Sequence, residues 1–211
     1  MSILTDISEA LEHGKRKQVT QLIQQALDEG LSPQQILTEG LLPGMDRVGT
    51  KFRNDEIFVP EVLVAARAMN AGTEILKPLL AETGGVSKGK AVIGTVKGDL
   101  HDIGKNLVKM MIEGKGIEVI DLGVDVAPEA FVQAAAENNV DIVCCSALLT
   151  TTMPVIGEVV EAFKAAGIRD KVKIMVGGAP VTQEFCDSIG ADCYTNDAAS
   201  AAVCADEILS A

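Results

Sequence analysis

An all-helical first part joined to a doubly wound, parallel, five-stranded sheet is the fold class that this 211-residue sequence predicts. Three observations predict it. As far as Glu82, apolar residues recur at helical spacing, with helix start and stop signals between the stripes. At Thr83-Gly84-Gly85-Val86-Ser87-Lys88-Gly89 the chain turns polar and rich in glycine. From Lys90 onward, short apolar runs alternate with helical stretches, the pattern of a parallel sheet covered on both faces. The expected organisation is a four-helix bundle over 1–82, a linker over 83–89, and a Rossmann-like, flavodoxin-like domain over 90–211.

In the first part, Ile3, Ile7 and Leu11 share one helical face and Gly14 stops that helix. Val19, Leu22, Ile23, Ala26 and Leu27 form the next stripe, which Gly30 ends. Ser32-Pro33-Gln34-Gln35 is a start signal, with serine as N-cap, proline at the first helical position and glutamine three residues on. Ile36, Leu37 and Leu41 continue that helix until Pro43-Gly44, where a kink or interruption is expected. Met45 to Phe52 resumes it before the turn at Arg53-Asn54-Asp55. Pro60 suits the first turn of a last helix, whose stripe is Leu63, Val64, Met69, Ile75 and Leu76. Short connections between such helices imply antiparallel neighbours in a bundle.

The expected strands of the second part are Ala91 to Val96, Ile117 to Leu122, Ile142 to Ser146, Val172 to Val176 and a short one at Asp192 to Tyr194. Their continuous apolar character suits strands buried on both faces. Helices are expected near Lys105, Pro128, Pro154, Thr182 and Ala198.

A formal net charge of -12 argues against nucleic acid as a partner, because phosphate binding needs a basic footprint. Tryptophan is absent and aromatics are scarce, so stacking on bases is not expected either. No run is apolar for the length of a membrane span, and no secretory leader is evident, so no membrane partner and a cytoplasmic location are expected. The five cysteines, Cys144, Cys145, Cys186, Cys193 and Cys204, include no C-x-x-C pair, and are expected to be reduced, small core residues.

The chemistry gathers at the ends of the strands. Gly98-Asp99-Leu100-His101-Asp102-Ile103-Gly104 follows the first strand, where open α/β sheets bind ligands. It holds one of only two histidines in the chain. Asp99, two residues earlier, is close enough to bond one ring nitrogen, which fixes the tautomer and leaves the other nitrogen for a metal. The bland alternative is a glycine-bounded turn in which Asp102 caps the next helix. Neither a P-loop nor a G-x-G-x-x-G pattern is present. After the third strand comes Ser146-Ala147-Leu148-Leu149-Thr150-Thr151-Thr152, and after the fourth Gly177-Gly178. Singly, these read as a helix cap and a turn. Together, on one edge of a doubly wound sheet, they ring a crevice suited to a large polar ligand.

The set Asp99-x-His101-x-x-Gly104, Ser146-x-Leu148 and Gly177-Gly178 resembles a cobalamin-binding signature. The bundle resembles the cap of methyl-carrying corrinoid proteins, on Val48-Gly49-x-x-Phe52 and Phe58-Val59-Pro60-Glu61. The chain is thus similar to the cobalamin-binding modules of methionine synthase and to the stand-alone corrinoid proteins of methylamine, methanol and betaine methyltransferase systems. The resemblance implies a cobalamin held base-off/His-on, passing between methylcobalamin and the Co(I) and Co(III) states. It implies His101 as the lower axial ligand, Asp99 as its partner and Thr152 as the end of a relay. It implies that Ser146, Leu148, Gly177 and Gly178 line a channel for the nucleotide tail, flanked by Thr150, Tyr194, Asp197 and Ala198. From the bundle, Glu39 and Met45 would touch the corrin, and Phe52 and Val59 would cover its methyl-bearing face.

The function so implied is a methyl carrier, itself non-catalytic, within a multi-component methyltransferase system. A donor methyltransferase would load the methyl from a methylated or quaternary amine. An acceptor methyltransferase would pass it to tetrahydrofolate or a thiol coenzyme. An ATP-dependent reductive activator completes the implied partners. Two other classes compete: the cobalamin subunit of an adenosylcobalamin mutase, which does not require this bundle, and a cobalamin-based sensor or regulator, for which a cap tryptophan and a DNA-binding module are expected. A flavodoxin-like domain without cobalt is the remaining alternative.

Overall fold

The structure, a computed structural model, describes residues 2–83 and 87–210. The chain divides into two compact units, residues 1–86 with 114–116 and residues 87–113 with 117–211. The expected linker falls in part on 84–86, which lie outside the described residues. Among the described residues no helix is long and apolar enough to cross a membrane.

The first unit is helical: α1 (Ile3–Glu12), α2 (Arg16–Asp28), α3 (Pro33–Gln35), a π-helical segment (Ile36–Leu41), α4 (Leu42–Arg53) and α5 (Val59–Thr83). Ser2 caps α1 by accepting the Thr5 N–H. Ser32 and Gln35 form the reciprocal capping box that their spacing predicts. The expected break at Pro43-Gly44 does not occur. Instead the helix widens just ahead of the proline, where the Leu42 N–H reaches the Leu37 carbonyl. A π turn relieves the clash between a proline ring and the carbonyl one turn back, so α3, the π segment and α4 run on without a gap. Gly44 serves packing rather than a turn: a Cβ there would stand 2.7 Å from the Ser8 carbonyl oxygen, so glycine lets α4 approach α1.

The expected stripe on α5 is also corrected. Val64 is 43% exposed, and the buried face is Val62, Ala65, Ala66, Ala68, Met69, Ala71, Gly72 and Leu76. Small residues dominate because α5 packs closely on α2; a Cβ on Gly72 would meet the Ile23 side chain at 2.8 Å.

The second unit alternates β1 (Lys90–Thr95), α6 (Ile103–Glu113), β2 (Glu118–Asp121), α7 (Pro128–Asn138), β3 (Ile142–Ser146), α8 (Met153–Ala165), β4 (Lys173–Gly177), α9 (Gln183–Ile189), β5 (Cys193–Tyr194) and α10 (Ala198–Ser210). All strand pairs are parallel and the order is β2-β1-β3-β4-β5. α7 packs on α8 and α6 on α10, one pair on each face of the sheet. Phe131 and Phe163, both fully buried, fill the α7–α8 side. The order reverses between β1 and β3, which opens a crevice at their carboxyl ends.

Two expectations fail here. β2 is not buried on both faces: it forms the edge of the sheet, and its Glu118 and Asp121 are exposed. Cys193 and Cys204 are joined as a disulfide rather than free, because β5 and the helix that follows it bring them face to face. Cys144, Cys145 and Cys186 are free and buried, and burial pushes the Cys144 thiol up to about 12.

Candidate functional site

Three loops meet at the reversal point: 96–102 after β1, 147–152 after β3 and the Gly177-Gly178 turn after β4. β1 and β3 place Thr95 beside Ser146, and β3 and β4 place Ser146 beside Gly177. The three loops therefore start level with one another.

Asp99 is the buried centre of the first loop, with no exposed surface. Its Oδ1 accepts the His101 ring N–H at Nδ1, at 2.7 Å, and the His101 backbone N–H at 3.1 Å. Its Oδ2 accepts the Thr152 hydroxyl at 2.7 Å and the Leu148 and Leu149 backbone N–H groups at 2.7 and 3.3 Å. Thr152 is itself buried. Burial alone would raise the Asp99 carboxyl. The Leu148 N–H, the His101 ring, the Thr152 hydroxyl and the His101 N–H outweigh it and hold that carboxyl well below the usual carboxylate range.

The consequence for His101 is a fixed tautomer. An ionised carboxylate only accepts, so Nδ1 carries a proton, and in the neutral ring the lone pair is therefore on Nε2. The side chain is 51% exposed, so the ring reaches outward from a buried anchor. One imidazole nitrogen oriented in this way by a carboxylate is the arrangement of a metal-ligating histidine.

The surroundings fit a broad, flat, largely apolar partner for that nitrogen. Leu100 and Ile103 are 71% and 80% exposed, and Leu148 and Leu149 are also exposed. Gly98 and Asp102 are exposed too. Gly104 sits in the first turn of α6 with nothing within 4 Å of where its Cβ would be. Glycine there costs roughly 1 kcal/mol against alanine and gains no packing within the protein. It leaves open surface beside His101 that a Cβ would fill. Gly178 is different: its φ is +121°, and a Cβ would lie 1.8 Å from the Ala147 carbonyl oxygen, so the chain itself demands glycine. A Cβ on Gly177 would meet only the Thr195 carbonyl oxygen, at 3.5 Å.

Not every expected residue joins this cluster. Thr150 is exposed on the β3 loop and Tyr194 is half-buried against the sheet core. Asp197 caps α10, accepting the Ser200 N–H at 2.8 Å and the Ser200 hydroxyl at 2.6 Å, and Ala198 is buried. Helix capping therefore uses the carboxylate that was expected to flank a ligand channel. In the first unit Glu39 is exposed on the π segment, Phe52 is half-buried and Val59 is 37% exposed. Met45 is only 2% exposed, so it is a buried residue of α4 and not an open contact.

Two residues not singled out from sequence support the loop. Thr95, 1% exposed, donates its hydroxyl to the His101 carbonyl at 2.8 Å. A hydroxyl at the end of an apolar strand was the signal for it. Lys105, 3% exposed, holds Asp121 at 2.6 Å and so ties the start of α6 to the end of β2. Burial would raise the Asp121 carboxyl, but Lys105, the Gly123 N–H and the charge of Lys109 hold it below its ordinary value.

Replacing Thr152 by valine is expected to lower stability by about 1–2 kcal/mol, the cost of removing one donor from a buried carboxylate. Serine at the same position should restore most of it. Urea unfolding of the two variants checks this; a loss in the serine variant with none in the valine variant would show that the methyl group and not the hydroxyl matters.

Comparison with known proteins bears on this geometry. Residues 89–203 match a family model described as a B12 binding domain, and residues 3–77 match a second model of the same description. The dimethylamine corrinoid protein 1 of Methanosarcina acetivorans is 44% identical over 208 residues, covering 98% of this chain and 97% of that protein. A corrinoid protein of Desulfitobacterium hafniense is 43% identical, covering 99% and 98%. Among solved structures, the methanol:cobalamin methyltransferase complex of Methanosarcina barkeri contains a similar chain. It has a TM-score of 0.88 and 32% identity, covering 99% of this chain and 80% of that one.

Proposed function

The chain belongs to the family of corrinoid proteins with B12 binding domains, and from that membership we propose that it carries methyl groups on a bound corrinoid. The methyl would come from a methylated amine through a donor methyltransferase. It would leave through a second methyltransferase, to tetrahydrofolate or a thiol coenzyme. The names of the similar proteins favour an amine donor, dimethylamine in particular. An ATP-dependent reductive activator and a cytoplasmic setting belong to the same reading.

The observation that carries it is the relay from Thr152 through Asp99 to His101, which ends in an outward-facing Nε2. A bound corrinoid supplies the cobalt that takes up and releases the methyl group. His101 would hold it from the lower side through Nε2, in the base-off/His-on mode. Asp99 keeps the proton on Nδ1 while Nε2 is a ligand. Gly104, Ser146, Leu148, Gly177 and Gly178 offer the small or apolar surfaces along which the rest of the cofactor would lie.

The helical unit 1–82 would act as the cap, with Phe52 and Val59 over the methyl-bearing side. The match of residues 3–77 to a B12 binding domain supports this role. Each methyltransferase would have to displace this cap in turn to reach the methyl group.

A carrier has no turnover of its own. The purified holo-protein given dimethylamine and an acceptor should transfer nothing, and transfer should appear only when both methyltransferases are added. Multiple turnovers by the holo-protein alone would contradict the carrier reading.

A further inference from the structure

We infer that Asp125, in the turn after β2, is a positioning residue for His101; its role toward the cofactor rests on the reading of His101 as the lower ligand. Asp125 has a φ of 55°, in the left-handed region that few residues other than glycine, asparagine and aspartate adopt readily. From there it grips the histidine loop twice. Its Oδ1 accepts the Gly98 N–H at 2.7 Å, and its own N–H donates to the Asp99 carbonyl at 3.0 Å. The two groups held are the backbone donor before Asp99 and the backbone acceptor of Asp99 itself.

The turn that carries Asp125 is fastened to β1 on both sides. The Thr95 N–H donates to the Gly123 carbonyl at 3.0 Å, and the Val126 N–H donates to the Thr95 carbonyl at 3.0 Å. Asp125 therefore transmits the position of the sheet to the loop. Thr95 completes the clamp at the far end through its bond to the His101 carbonyl. The Asp125 side chain is exposed, so it contributes nothing to a core. The residue at this position must tolerate a positive φ and present an acceptor. Glycine meets only the first condition; asparagine meets both.

That contrast defines the test, made on the full chain with Asp125→Gly and Asp125→Asn. In the apo-protein, amide hydrogen exchange at Gly98 and His101 should quicken about fivefold in Asp125→Gly, the effect of losing one hydrogen bond. It should stay near wild type in Asp125→Asn. With cob(II)alamin bound as the probe, the nitrogen coupling of an axial histidine in the electron paramagnetic resonance spectrum reports ligation. The ratio of ligated to unligated protein should fall about fivefold in Asp125→Gly and recover in Asp125→Asn. Unchanged exchange and unchanged coupling in Asp125→Gly would overturn the inference, as would equal impairment of both variants. Absence of the coupling in wild type would instead remove the ligand reading, while exchange at His101 would still decide whether Asp125 holds the loop.

Discussion

His101→Ala is expected to leave a folded protein that has lost its axial nitrogen and most of its methyl transfer. The ring is half exposed and hangs from a buried carboxylate that keeps the Thr152, Leu148 and Leu149 donors when it is gone. The stability loss should therefore be about 1 kcal/mol, the value of one hydrogen bond. The functional loss should be much larger. Removing an outer-shell partner of a metal ligand costs roughly 10- to 100-fold, and removing the ligand itself should exceed that. The absorption spectrum of bound hydroxocobalamin and the rate of transfer with both methyltransferases measure the two consequences. A spectrum and rate equal to wild type would show that the ligand lies elsewhere; a protein that fails to fold would show that His101 is structural.

Asp99 has the opposite profile, because it organises the loop from inside. Asp99→Ala leaves the Leu148, Leu149 and His101 N–H groups, the Thr152 hydroxyl and the His101 ring without their acceptor. At about 1–3 kcal/mol for each buried donor left unpaired, and allowing for relaxation, a loss on the order of 5 kcal/mol is expected. That approaches the whole stability of many domains. Asp99→Asn keeps the shape and is the better probe of charge. The folded-state carboxyl titrates below its unfolded value, near 3.9. Its contribution is thus fully present above about pH 4 and is lost as pH falls through the folded value. The stability gap between wild type and Asp99→Asn should be constant from pH 5 to about 8 and close in more acid solution. Urea unfolding at pH 7, 5 and 3 measures it, and a gap that widens in acid would contradict the assignment.

The fold class was legible because its signals are local. Apolar runs between helical stretches mark β1 to β5, and Ser32 and Gln35 announce their helix three residues apart. The hydrogen bond between Asp99 and His101 was legible for the same reason, since the two are only two positions apart. The donors from Leu148 and Leu149 were not, because they stand 49 and 50 positions beyond Asp99 and only the strand order joins them. Asp125 was hidden likewise: its partner Gly98 lies 27 residues away and meets it through the pairing of β1 with β2. On α5 the reading followed large side chains, whereas close packing on α2 selects small ones, so Val64 faces outward and the alanines are buried. At Pro43 the rule that proline breaks a helix overlooked the π turn as a remedy. The pairing of Cys193 with Cys204 depends on where β5 ends against the following helix, which spacing does not disclose.

The central claim is that the methyl group resides on this chain between donor and acceptor. It is tested most directly by isolating the holo-protein after one exposure to isotopically methyl-labelled dimethylamine and its methyltransferase, with no acceptor present. The predicted result is one label per bound corrinoid, discharged completely when the acceptor and its methyltransferase are added. Label that reaches the acceptor without ever residing on the chain would contradict the account.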